Sequence, residues 1–187
     1  ILKERLYGLT WSEGNHGESV KEVYYYVDST PTHSYMKYLY RYPHEKFPYE
    51  QLINENRKRT RLDPEFELID SGVFDAGKYF DIYIEFAKQT ADDIFIAVRV
   101  TNKAQTPQEL VVLPTLWFRN TWSWTKNALR PSIKMAVSPE QEFTCVSAEH
   151  DTLGKYILCF PDTENVLFTE NETNSSLLFN QPNTSKY

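Results

Sequence analysis

Three of the four tryptophans of this chain, Trp117, Trp122 and Trp124, fall within eight positions, with Arg119 and Asn120 among them. Indole faces stack on the C–H faces of pyranose rings, while guanidinium and amide groups bind hydroxyls, so the block fits a sugar site. The same enrichment of Trp and Arg marks contacts between domains, and plain core burial is a third account of large rings. A second cluster, Glu170-Asn171-Glu172-Thr173-Asn174, offers several donors and acceptors to hydroxyls at once. Its other reading is a solvated, Asn-rich turn. Trp117, Arg119, Trp122, Trp124, Glu170 and Asn171 are therefore the candidates for contact with an oligosaccharide or a neighbouring domain.

Other chemistries find less support. Glycoside hydrolysis needs two carboxylates roughly 5–9.5 Å apart, and the 26 acidic residues allow so many pairs that no catalytic residue is assigned. The glycines are scattered and no Gly-rich loop leads a strand into a helix, which disfavours a phosphate cradle. Glu13, His16 and Glu18 sit together, but their spacing matches no metal-ligand pattern with a geometric reason, so neither metal nor cofactor is expected. Ser34 beside His33 is a neighbour pair in sequence, whereas a triad is assembled in space. A net charge of −6 argues against a nucleic-acid partner, since phosphate neutralisation favours a basic surface. The apolar runs fall far short of the ~20 residues that span a bilayer, so no membrane partner is expected either.

The elements that position these residues read as strands. From residue 79 to 86, Phe80, Ile82, Ile84 and Phe86 alternate with Asp81 and Glu85, and Ile94, Ile96, Val98 and Val100 alternate with Arg99 and Thr101 after a turn at Asp92-Asp93. That pair predicts a hairpin of half-buried strands. Further strands are expected at 23–27, 35–42, 66–69, 109–113, 132–137, 142–147, 156–160 and 166–168, separated by breakers about every ten residues, the spacing of a sandwich or barrel. Pro48 opens one short surface helix carrying Leu52 and Ile53 on its apolar side. The cations from Arg57 to Arg61 then complement a helix C-terminus and require no ligand. The fold class predicted is all-β, an antiparallel β-sandwich with one short surface helix, and residues 1–187 are treated as a single domain.

Cys145 and Cys159 are too few for a disulfide scaffold. A hairpin centred on Thr152 sets them opposite each other, close enough to bridge, and a shift of that centre separates them. Two reduced, buried thiols are the favoured expectation. The sequons at Asn171, Asn174 and Asn183 carry meaning only in a secreted protein. The sequence starts at Ile1 with no basic-then-apolar leader, which suggests a numbering that begins inside a longer gene product, and a cytoplasmic location is expected.

Several segments carry a resemblance: Lys3-Glu4-Arg5-Leu6-Tyr7-Gly8-Leu9-Thr10, Glu13-Gly14-Asn15-His16-Gly17-Glu18, Val20-Lys21-Glu22, and Asp28-Ser29-Thr30-Pro31-Thr32-His33-Ser34-Tyr35-Met36-Lys37. With the tryptophan block from Leu113 to Trp124 and Leu167-Phe168-Thr169-Glu170-Asn171-Glu172-Thr173-Asn174, they span nearly the whole chain. The set resembles the bacterial and archaeal proteins of the glycoside hydrolase family 63 group, often labelled glucosidases and related to mannosylglycerate hydrolases. Ser19 stands where that family has Asp, and Trp11-Ser12 where a Gly-Pro pair is frequent. The resemblance implies the N-terminal half of a longer chain, a β-supersandwich packed on a C-terminal (α/α)6 barrel that holds the general acid and base of an inverting hydrolysis. Nothing here resembles that barrel, so the resemblance implies a non-catalytic domain whose partner is its own absent catalytic domain, with walls of the sugar pocket as a secondary role. A stand-alone carbohydrate-binding module is the alternative.

Overall fold

The computed structural model describes residues 23–119, 121–122, 124, 126–138, 142–161, 165–169 and 175–183. The family-like segments between Lys3 and Glu22, and also Asn120, Glu170 and Asn171, lie outside the described residues. The chain divides into two compact units, Ile1–Val111 and Val112–Tyr187.

In the first unit the alternating segments become β1 (Val23–Ser29), β2 (Tyr35–Pro43), β3 (Tyr79–Lys88) and β4 (Ile94–Asn102). They pair antiparallel in the order β1-β2-β3-β4. β2 and β3 keep an unbroken register from Tyr35 opposite Ala87 to Pro43 opposite Tyr79, and β3 and β4 form the expected hairpin. The expectation that Ile94, Ile96, Val98 and Val100 are buried on one face of β4 is corrected: β4 is exposed from Ile94 to Thr101. Since side chains alternate across a strand, Tyr38 and Tyr40, Ile82 and Ile84, and Val98 and Val100 share one face. Leu39, Arg41, Asp81, Tyr83 and Glu85 share the other.

The connection from β2 to β3 carries α1 (Tyr49–Arg57), with Pro48 at its N-cap, Glu50 in the first turn and Arg57 in the last, matching the helix dipole at both ends. Leu52 is 2% exposed and packs on Leu68, with Tyr25, Phe47, Phe66, Val73 and Phe74 around them. The strand expected at 66–69 is absent: Leu68–Ser71 is a 3-10 turn. The reason lies on α1, ten positions back. Asn56 on α1 donates through Nδ2 to the Phe66 carbonyl (2.9 Å) and accepts the Phe66 N–H through Oδ1 (2.8 Å), so both backbone groups that a ladder would use are taken. Asp70 then accepts the Glu67 N–H at 2.8 Å, and Gly72, at φ 76°, ends the turn in the left-handed region that favours glycine.

The second unit holds β5 (Ser132–Ala136), β6 (Phe143–His150) and β7 (Gly154–Pro161), antiparallel in that order. The β6–β7 hairpin reverses at residues 151–153, and Gly154 takes φ 80°. The register centres on Thr152 and sets Cys145 opposite Cys159, where the two are bonded as a disulfide with Cα atoms 4.2 Å apart. This corrects the expectation of two free thiols. A directly opposed pair lacking hydrogen bonds brings Cα atoms to about 4.5 Å, a separation that a disulfide spans. The segments expected as strands at 109–113 and 166–168 join neither sheet, and a short helix, α2 (Ser175–Phe179), appears where none was expected. The all-β class is borne out: both sheets are antiparallel, and α1 is the only helix longer than five residues among the described residues. Among those residues, no helix is long and apolar enough to cross a membrane.

Candidate functional site

The tryptophan block lies in the second unit, on an irregular segment between residue 111 and β5. Short-range backbone bonds turn the chain there. The Thr121 N–H donates to the Arg119 carbonyl at 2.8 Å, and the Trp124 N–H donates to the Thr121 carbonyl at 3.1 Å. This folding returns Trp124 to Arg119, whose guanidinium lies 5.0 Å from the centre of the indole. Trp122 is half-buried and receives the Arg130 guanidinium at 5.6 Å. Each cation lies within the ~6 Å over which an aromatic quadrupole attracts it, an interaction of roughly 0.5–1 kcal/mol at exposed sites.

The block is not a core. Trp117 is 55% exposed and Trp124 66% exposed, with Leu113 and Leu116 exposed beside them. Of the three accounts of the block, plain burial fails for Trp117 and Trp124. Sugar contact and docking against another surface both remain physically apt, since each uses exposed indoles accompanied by guanidinium groups.

Of the candidates, the structure brings Arg119 and Trp124 together and places Trp122 beside Arg130; Glu170 and Asn171 lie outside the described residues. Arg130 and His150 were missed in the sequence. His150 ends β6 and lies tilted against Phe118, with ring centres 5.4 Å apart and 33° between the ring planes. His150 Nδ1 lies 3.2 and 3.3 Å from the N–H groups of Thr152 and Leu153 and 3.0 Å from Asp151 Oδ1, so the ring is tied into the turn that follows β6. Arg130 lies eight positions beyond Trp122, a spacing that signals nothing unless the fold of the loop is known. Among the described residues no group of three His, Cys, Asp or Glu could hold a metal ion.

A second polar array crosses the face of the first sheet. The Tyr35 hydroxyl donates to Glu85 Oε1 at 2.6 Å, and Lys37 Nζ lies 3.3 Å from the same oxygen. The hydrogen bond from Tyr35, then that from Lys37, holds the Glu85 carboxyl below its usual range, and the same bond pushes the Tyr35 hydroxyl up. Arg41 donates through Nε to Asp81 Oδ1 at 2.9 Å and lies 4.4 Å from the Tyr79 ring. These pairs satisfy one another across adjacent strands and explain why charged residues sit in the middle of a sheet.

No known protein family matches the sequence, and no solved structure matches it. The chain is similar to the uncharacterized protein YMR196W of Saccharomyces cerevisiae, with 37% identity over 219 residues, covering 100% of this chain and 20% of that protein. The chain thus spans about a fifth of the length of this curated relative.

Proposed function

We propose that the chain is a non-catalytic β domain of a glycoside hydrolase family 63-like enzyme, an inverting α-glucosidase, which packs against a catalytic (α/α)6 barrel and lends side chains to one wall of its sugar pocket. The observation that carries this reading is the exposed Trp117 and Trp124, the latter held by Arg119. Large exposed indoles fit a surface that closes against something else. The length of the yeast relative leaves ample room for a further domain. In the whole enzyme one carboxylic acid protonates the glycosidic oxygen while a carboxylate activates water on the opposite face of the ring. Neither group is assigned to this chain.

The alternative, a stand-alone carbohydrate-binding module, draws on the same indoles. Calorimetric titration with α-linked gluco-oligosaccharides separates the two. The docking reading predicts no measurable heat and no turnover of an aryl α-glucoside by the chain alone. Binding that is lost in Trp122→Ala or Trp124→Ala would favour the module, and hydrolysis would overturn both readings.

A cytoplasmic address belongs to the same proposal. The Cys145–Cys159 bridge bears on it directly, because structural disulfides persist in oxidising compartments and are rare where glutathione keeps thiols reduced. A cytoplasmic protein would carry this pair as thiols in the cell.

A further inference from the structure

The two edges of the first sheet differ. At β1 the register slips between Tyr26 and Asp28, an irregularity that twists an edge and blunts it against pairing. β4 has no such device. Its register with β3 runs unbroken from Ile94 to Asn102, it contains no proline, and its single charge is Arg99. Every residue from Ile94 to Thr101 is exposed, Phe95 at 60% and Ile96 at 53%. Among the described residues no strand pairs with its outer edge.

The hydrogen-bond phase shows which groups that edge presents. The Gln89 N–H donates to the Asp93 carbonyl at 3.0 Å and the Lys103 N–H to the Tyr79 carbonyl at 2.9 Å. Bonded pairs therefore fall on odd numbers in both strands. In an antiparallel ladder the intervening residues point their N–H and C=O the other way. Ile94, Ile96, Val98 and Val100 aim their backbone groups outward.

We infer that β4 is a self-pairing edge, and that its occupant is β4 of a second copy of this chain, antiparallel about a two-fold axis at Ala97. In that register Ile96 meets the partner's Val98 and Ile94 meets the partner's Val100, so every outward donor and acceptor of these residues is used. The odd positions suit this partner. Arg99 falls opposite the partner's Phe95, a cation on an aromatic ring, and Ala97 opposite the partner's Ala97, the smallest contact at the axis. No like charges face each other. A two-fold contact consumes both copies of the edge, and the irregular β1 edge does not extend the sheet, so pairing closes at a dimer.

The test uses the 187-residue chain in solution. Sedimentation equilibrium at micromolar concentration is expected to give twice the 22.0 kDa of one chain. Val98→Pro removes an outward N–H and leaves the ladder with β3 intact, and Ile96→Lys puts a charge on the edge. Both are expected to weaken the dimer at least tenfold while keeping the circular dichroism of the parent sequence. Under mild oxidation Ala97→Cys is expected to give a covalent dimer, and Phe95→Cys is not. A monomer at these concentrations, a dimer that survives both edge variants, or crosslinking through Phe95→Cys instead of Ala97→Cys would overturn the inference. Protection of the 96 and 98 amides from hydrogen exchange in a monomer would likewise overturn it, assigning the edge to another strand.

Discussion

Asn56 holds the backbone of Phe66 from both sides: its amide donates to the Phe66 carbonyl at 2.9 Å and its carbonyl accepts the Phe66 N–H at 2.8 Å. One buried side chain thus fastens α1 to the connection that follows it and fixes the Leu52–Leu68 contact. Asn56→Ala leaves both backbone groups without these partners, at about 1–3 kcal/mol each when buried. The first unit is expected to lose about 3 kcal/mol in urea unfolding, while Asn54→Ala on the exposed side of α1 changes it by no more than about 0.5 kcal/mol. Equal effects of the two substitutions would contradict this role.

The Tyr35–Glu85 bond makes a prediction with a definite sign. The folded carboxyl of Glu85 titrates below its ordinary 4.5, so its contribution to stability is present above 4.5 and is lost as pH falls through the folded value. The Tyr35 hydroxyl titrates above its ordinary 10.0, so its contribution is complete below 10.0 and is lost as pH rises through the folded value. Carboxyl-detected NMR should show the Glu85 midpoint rising toward 4.5 in Tyr35→Phe, because the larger of the two hydrogen bonds that depress it is gone. An unmoved midpoint would show that the cations Lys37 and Arg99 set it without Tyr35.

Reduction of the Cys145–Cys159 bridge opens a loop whose ends are 14 residues apart, and a loop of that length is worth roughly 3 kcal/mol in the chain-entropy account. The oxidised second unit should therefore outlast the Cys145→Ser, Cys159→Ser double variant in guanidinium by about that amount. Mass spectrometry of protein alkylated at lysis reads the state of the pair in cells. Thiols would support the cytoplasmic proposal, and a bridged pair would contradict it.

Legibility of the fold followed the range of the interactions. Strict alternation from 79 to 101 was enough for β3, β4 and their hairpin, because period-two patterning and a turn at Asp92-Asp93 are local facts. The segment at 66–69 has equally strand-like residues, yet its backbone is claimed by Asn56, ten positions away and on a helix. No local pattern announces that. The cysteine pair shows the same limit: the hairpin centre that decides it was visible as one possibility, and only the observed register selects it. In the tryptophan block, composition marked Trp117, Trp122, Trp124 and Arg119. The partnership of Trp122 with Arg130 depends on how an irregular loop turns.

The central claim is that the tryptophan block closes against a domain beyond this chain. Hydroxyl-radical footprinting of Trp117 and Trp124, with the 187-residue chain compared with the full-length natural polypeptide that contains it, tests this most directly. The account predicts rapid oxidation of both indoles in the chain alone and at least a tenfold slowing in the longer protein. Equal rates in the two would contradict it.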